Sequence, residues 1–101
     1  MQKLVRDKIP EIMVASGISP VVTILQPDER LRWLLLKLSE ETAELTCNPN
    51  LEECADVYEV LISIAAELGH TVNDVASAAQ NKNDARGGFA SGIILTIRDD
   101  L

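Results

Sequence analysis

Two helical patterns joined by a very short break constrain this fold most. Leucines recur at helical spacing through residues 31–46, and residues 51–68 are apolar over most of a helix's circumference. An Asn-Pro-Asn break separates them, and its last residue, Asn50, suits an N-cap with Glu53 in the N3 position. Helices joined by so short a connection pack as antiparallel neighbours. The sequence therefore predicts an antiparallel hairpin whose second helix is buried in a core or an oligomer interface.

Two further helices are predicted, one on each side of this hairpin. Pro10 fits the first turn of a short helix that runs to Ala15. Thr71 and Asp74 have the spacing of a capping box, which would begin a third long helix ending near Arg86. The three long helices therefore dominate the predicted structure.

Two runs of strand length lie outside the helices. Residues 21–26 and 93–98 are rich in β-branched side chains, and we predict that they pair as a small β ribbon. Aromatic residues make up only 3% of the chain, and an apolar content of Leu, Ile, Val and Ala favours a helical bundle over a β-sandwich. We therefore predict that residues 1–101 form one all-α domain. It would be an antiparallel bundle of three long helices and a short N-terminal helix, with the ribbon as a minor element.

The charge and composition exclude several kinds of partner. A formal net charge of -7 disfavours nonspecific binding to nucleic acid or to an anionic membrane. The sequence has no run of about 18 apolar residues that could span a membrane, and its first residues lack the apolar stretch of a signal peptide. Cys47 and Cys54 form neither a disulfide framework nor a four-ligand zinc pattern. We expect a cytoplasmic protein with two free thiols.

Acidic side chains cluster on both sides of the predicted loop. Glu41 and Glu44 are three residues apart, as are Glu53 and Asp56, so each pair shares one helix face. Residues equally far from the loop face each other in an antiparallel hairpin, which places Glu44 level with Glu53 and Glu41 level with Asp56. Four carboxylates gathered in this way repel one another and require a cation. Ligation by oxygen atoms alone points to Mg²⁺ or Mn²⁺.

A solvated acidic face is the alternative interpretation, and Glu53 already has a capping role. Two observations favour a metal site. Glu44 lies in the last turn of its helix, where the helix dipole disfavours a negative charge, and Asp56 has apolar neighbours on both sides. Glu40 adds a fifth carboxylate that could serve as ligand or as the base for a water molecule. Whether Glu52 or Glu53 is the ligand stays open, because both share a helix face with Asp56.

Basic side chains are the candidates for binding the phosphate groups of a substrate. They are Lys3, Arg6, Lys8, Lys37, Lys82 and Arg86. The N-terminal three have an equally simple role as partners of surface acids. Lys82 and Arg86 could instead stabilise the C-terminal end of their helix through its dipole.

Three segments of the chain resemble a known family. Glu-Glu-x-x-Glu at residues 40–44, followed by Glu-x-x-Asp at residues 53–56, is similar to the signature of the MazG-like all-α nucleoside triphosphate pyrophosphohydrolases. Lys-Leu-Val-Arg-Asp-Lys-Ile-Pro at residues 3–10 and Arg-Gly-Gly-Phe at residues 86–89 resemble a subgroup described as phosphoribosyl-ATP pyrophosphohydrolase-like. The resemblance covers nearly the whole chain. The linker between the acidic motifs is shorter than many MazG-like sequences carry.

The resemblance implies cleavage of a nucleotide between its α and β phosphates, which releases pyrophosphate and a monophosphate. Mg²⁺ would be held by Glu41, Glu44, Glu53 and Asp56, with Glu40 as ligand or base, in a homodimer or homotetramer. A nucleotide pyrophosphohydrolase with a house-cleaning role is the leading hypothesis. Two alternatives stay open: the phosphoribosyl-ATP pyrophosphohydrolase of histidine biosynthesis, and a non-enzymatic helical oligomerisation protein.

Overall fold

The computed structural model describes residues 1–98 and is helical throughout its regular structure. Its elements are α1 (Ile9–Ala15), a 3₁₀ turn (Pro27–Glu29), α2 (Arg30–Cys47), α3 (Leu51–Glu67) and α4 (Val72–Arg86). Helix α3 packs against α2 and has a smaller contact with α4. The predicted all-α class and the four predicted helices are confirmed for this part of the chain.

Side-chain caps fix where α3 and α4 begin. The Asn50 side chain accepts a hydrogen bond from the Glu53 amide at 2.9 Å, as the sequence predicted. Thr71 and Asp74 form the predicted capping box, with the Asp74 amide 3.1 Å from the Thr71 hydroxyl and the Thr71 amide 2.8 Å from the Asp74 carboxylate. Gly69 ends α3 with a φ of 86°, which a residue with a side chain rarely adopts. Local hydrogen bonds therefore set the helix boundaries.

Helices α2 and α3 form an antiparallel hairpin. Arg30 at the start of α2 lies 4.0 Å from Glu67 at the end of α3, although the two are far apart in sequence. These residues are equally distant from the loop, so the register predicted for the acidic pairs extends over the full length of the hairpin. The most buried apolar side chains, Val60, Ile64 and Ala65, all lie on α3. Although α3 is so apolar, no helix among residues 1–98 has both the length and the apolar character needed to cross a membrane.

The predicted β ribbon is wrong for the described residues. Residues 21–26 and 93–98 form no strand, and the main chain of 21–25 and of 93–97 makes no backbone hydrogen bond within residues 1–98. Val21 is fully exposed and Ile94 is 90% exposed, so the two runs do not pack on each other. The physical reason is that β propensity reflects packing against neighbouring strands, and an isolated pair of short strands is marginally stable in water.

The cap of α4 generates a stability prediction. We expect Thr71→Ala to lower the free energy of unfolding by about 1 kcal/mol, because it removes the acceptor for the Asp74 amide. Chemical denaturation at fixed protein concentration measures the change. Thr46→Ala is the matched control, since the Thr46 hydroxyl bonds only to the Thr42 carbonyl within α2 and alanine has the higher helix propensity. Equal losses in both variants would contradict a capping role for Thr71.

Candidate metal centre

Three carboxylates from the two arms of the hairpin meet at one point. Glu41 on α2 and Glu53 and Asp56 on α3 each offer an oxygen atom, and these atoms lie within 4.8 Å of one another. The antiparallel register explains the meeting, because it places Glu41 level with Asp56 and Glu53 one turn closer to the loop. The sequence predicted that these three residues would lie together, and the structure brings them together.

Burial makes this cluster unlike a solvated acidic face. Glu41 is only 7% exposed, and it is the one charged residue classed as buried among residues 1–98. One carboxylate oxygen of Glu41 (Oε2) and one of Glu53 (Oε2) are buried without a hydrogen-bond partner. Buried polar atoms in folded proteins are nearly always paired, so two unpaired anionic oxygens require an explanation such as a bound cation.

Lys37 neutralises part of the charge from within α2. Its Nζ atom lies 3.2 Å from Glu40 Oε2 and 3.2 Å from Glu41 Oε1, one turn further along the helix. Burial lowers the pKa of Lys37, but the hydrogen bonds and the negative charges of Glu40 and Glu41 together outweigh this effect, so the pKa is raised overall. Lys37 is therefore a charged partner of the acids, and its contact with Glu41 uses the Oε1 atom and leaves Oε2 without a hydrogen-bond partner.

The N-terminal segment supplies two further cations. Arg6 donates a hydrogen bond of 2.7 Å to Asp56, and this bond is the main reason why the pKa of Arg6 is raised. Lys3 lies 3.7 Å from Glu40, which Lys37 also contacts. Both N-terminal side chains are more than half exposed, so each can exchange its carboxylate partner for a ligand at little cost.

Glu44 lies at the edge of the cluster and is exposed. It is not among the three residues whose oxygens converge. Nevertheless, the negative charge of Glu41 raises the pKa of Glu44, with smaller contributions from desolvation and from Glu53. The causes are the neighbouring carboxylates and desolvation, and not the helix dipole on which the sequence argument relied.

Glu53, and not Glu52, is the acid of the first turn of α3 that joins the cluster. Glu53 is half-buried and Glu52 is exposed. The Glu53 amide is held by the Asn50 cap while its side chain turns towards Glu41 and Asp56. The capping role and the cluster therefore use different atoms of Glu53, and one does not exclude the other.

A groove of about 1080 Å³ opens beside the cluster. Its walls are the N-terminal segment, residues 22–25 and the facing sides of α2 and α3. Glu41 and Asp56 line it together with four of the predicted phosphate-binding residues: Lys3, Arg6, Lys8 and Lys37. Acids and bases therefore meet in one open groove.

The sequence interpretation missed six polar residues of this groove. They are Asp7, Thr23, Arg30, Glu59, Ser63 and Glu67. The last three follow Asp56 at intervals of three or four residues, which places them on the same face of α3. Extending the helical spacing beyond the acidic motif would have found them.

Lys82 and Arg86 do not lie in this groove. They line a separate hollow of about 430 Å³ at the end of α4, together with Gly87, Gly88 and Phe89. The suggestion that they contact the phosphate end of the same pocket is not supported by the geometry of a single chain. Position in the sequence could not reveal this, because it depends on how α4 packs against α3.

Comparisons with known proteins leave the family open. No family model matches the chain, and no solved structure matches it. The chain is similar to an uncharacterized protein of Mycolicibacterium smegmatis, with 53% identity over 45 residues. The match covers 45% of this chain and 46% of that protein, so it spans about half of each.

The raised pKa of Glu44 predicts a pH-dependent stability. An acid whose pKa is higher in the folded state destabilises the fold once it ionises. The free energy of unfolding is therefore undiminished below the ordinary pKa of the acid, and part of it is lost as the pH rises through the folded value. We expect Glu44→Gln to raise the melting temperature at pH 7 in EDTA, with the advantage shrinking as the pH falls towards 4. Thermal unfolding of wild type and variant across this range measures it.

Glu52→Gln is the control for this experiment. Glu52 is an exposed acid in the first turn of α3, where the helix dipole favours its charge. Its neutralisation should leave the melting temperature unchanged or slightly lower at pH 7. A gain in Glu52→Gln as large as that in Glu44→Gln would show that overall negative charge, and not the cluster, causes the effect.

Proposed function

We propose that this protein is a Mg²⁺-dependent nucleotide pyrophosphohydrolase. It would cleave a nucleoside triphosphate, or a related nucleotide, between the α and β phosphates and release pyrophosphate and a monophosphate, with a house-cleaning role. The observation that carries the proposal is the meeting of Glu41, Glu53 and Asp56, with two buried oxygens that lack partners, beside a groove lined with basic side chains.

The residues of the cluster fit a divalent cation with oxygen ligands. Glu41, Glu53 and Asp56 would hold it. Glu44 is close enough for the charges of Glu41 and Glu53 to raise its pKa, and it could serve as a fourth ligand. The cluster also keeps a net negative charge for a cation to neutralise. It contains five acids (Glu44, Glu40 and the three residues that would hold the cation), and three basic residues contact this group: Lys3, Arg6 and Lys37. Carboxylate-only ligation favours Mg²⁺, with Mn²⁺ as the second choice. Such a cation, when bound, supplies charge neutralisation at phosphate oxygens and lowers the pKa of water.

The remaining residues have distinct roles in this proposal. Lys3, Arg6 and Lys8 line the groove and would neutralise the substrate's phosphates, with Arg6 able to form two parallel hydrogen bonds to one phosphate group. Glu40 is held by Lys3 and Lys37 next to Glu41, a position from which it could accept a proton from the attacking water. The oxygen of that water joins one phosphorus, and the α–β bridging bond breaks.

The small core supports an oligomeric bundle. Only three apolar residues, Val60, Ile64 and Ala65, are classed as buried among residues 1–98. Such a chain leaves most of its apolar surface in water unless another copy covers it. We therefore propose an antiparallel helical bundle assembled as a homodimer or homotetramer.

Loss of a ligand should abolish activity while preserving the fold. We expect Glu41→Gln and Asp56→Asn to lower Mg²⁺ affinity by at least about 10–100-fold, the loss caused by perturbing even outer-shell partners. Pyrophosphate release should fall to the limit of detection at a Mg²⁺ concentration that supports the wild type. The assay follows pyrophosphate across a panel of nucleotides, with Glu52→Gln as a matched acidic control. Full activity in the two variants would show that the site is wrongly assigned.

The non-enzymatic alternative makes a different prediction for metal binding. If the acids are only solvated surface groups, the protein should bind neither Mg²⁺ nor Mn²⁺ with measurable heat, with or without nucleotide. The enzyme should bind at least one of them, and the heat should disappear in Glu41→Gln. Isothermal titration calorimetry distinguishes the two functions without knowledge of the substrate.

The narrower enzymatic alternative is hydrolysis of phosphoribosyl-ATP. Its support is the resemblance of residues 3–10 and 86–89 to a like-named subgroup. Complementation of a histidine auxotroph that lacks this hydrolase tests it. Growth would favour that substrate, whereas failure together with pyrophosphate release from other nucleotides would favour the house-cleaning role.

A further inference from the structure

Two apolar segments lie exposed outside the helices. The leading segment, residues 21–25 (Val-Val-Thr-Ile-Leu), connects α1 to the 3₁₀ turn before α2, and the trailing segment, residues 93–97 (Ile-Ile-Leu-Thr-Ile), follows α4. The apolar residues of the trailing segment are 81–90% exposed, and Val21 and Ile24 of the leading segment are 100% and 81% exposed. Neither main chain forms a backbone hydrogen bond within residues 1–98. Each segment therefore has apolar side chains and peptide groups to offer to another strand.

The shape of the single chain shows that burial is incomplete. The radius of gyration is 18.1 Å, whereas a compact domain of this length has about 13 Å. The chain measures 59 Å along its longest axis and 31 and 28 Å along the others. An elongated chain with so small a core needs a partner to cover its apolar surface.

We propose that two copies of this chain form a twofold dimer in which the leading segment of each copy pairs with the trailing segment of the other as an intermolecular β ribbon. The β-branched composition of the two segments, from which the sequence predicts strands, then serves strand pairing between two chains instead of within one chain. Pairing supplies the missing backbone hydrogen bonds and covers the exposed apolar side chains of both segments.

The composition of the segments favours a second copy over a foreign strand. Both segments have five residues, both are uncharged, and each carries several β-branched side chains. A twofold interface is self-complementary, so contact of the leading with the trailing segment occurs twice and satisfies all four segments. A foreign strand on either segment would leave the other one exposed.

This pairing would also affect the groove, although the proposal does not rest on the function proposed above. Residues 22–25 form part of the wall of the groove that Glu41 and Asp56 line. A partner strand hydrogen-bonded to the leading segment would hold that wall in place. Dimerisation can be measured without any activity assay, so failure of the pairing and failure of the enzymatic proposal are separate results.

Sedimentation of the 101-residue chain tests the dimer. We expect Val22→Lys and Ile94→Lys each to weaken dimerisation at least about 30-fold, the effect of losing one central interface residue. Val14→Lys on α1 is the matched control, since Val14 is exposed and lies outside both segments. Circular dichroism should show unchanged helix content in all three variants. A monomeric wild type, or a dimer that both segment variants leave intact, would overturn the proposal.

Disulfide trapping tests which strands pair. In a background with Cys47→Ser and Cys54→Ser, chains carrying Thr23→Cys are mixed with chains carrying Leu95→Cys or Thr96→Cys and oxidised gently. We expect covalent dimers whose crosslinked peptides join the two segments, identified by mass spectrometry, and none when Val14→Cys replaces Thr23→Cys. Crosslinks that form only within single chains of a Thr23→Cys/Thr96→Cys double variant would overturn the proposal in favour of an intramolecular ribbon.

Discussion

The antiparallel register of α2 on α3 is the constraint on which the rest of this structure depends. The Asn50 side chain accepts a hydrogen bond from the Glu53 amide and fixes where α3 begins after the loop. At the far end of the hairpin, the approach of Arg30 to Glu67 shows the same register. Shifting one helix by a single residue would rotate the acids away from each other by about 100°. The meeting of Glu41 with Asp56 is thus a direct consequence of how the hairpin closes.

Electrostatics determines what this hairpin can do. Gathering carboxylates at the closed end of two helices is unfavourable, and the raised pKa of Glu44 shows the repulsion. Lys37 and Arg6 relieve part of it through hydrogen bonds to Glu41 and Asp56. Two buried oxygens still lack a partner, and this residual demand for positive charge is the physical basis of the proposed cation site. The exposed N-terminal bases are suited to a ligand that brings its own negative charge.

The sparse core connects the site to assembly. Burial is concentrated on α3, while apolar side chains of the leading and trailing segments remain in water. The leading segment also lines the groove. In the proposed dimer, a partner strand would therefore both cover these apolar side chains and hold the wall of the groove in place. A small chain that uses one face of a hairpin for acids has little surface left for a core of its own, and this small core is the physical reason for proposing a second copy.

Local chemistry in the sequence determined the helices, their caps and the pairing of the acids. Asn50, Thr71 and Asp74 act within three or four residues of their own positions, and the spacing of Glu41, Glu53 and Asp56 needs only one short loop to become a cluster. Tertiary structure alone decided the rest. Packing between distant segments buries Glu41 and brings Glu53, and not Glu52, into the cluster. It also places Arg6 in contact with Asp56. The same dependence explains why the β-branched runs formed no ribbon and why Lys82 and Arg86 lie away from the acids. Strand pairing and groove walls require partners that local sequence does not specify.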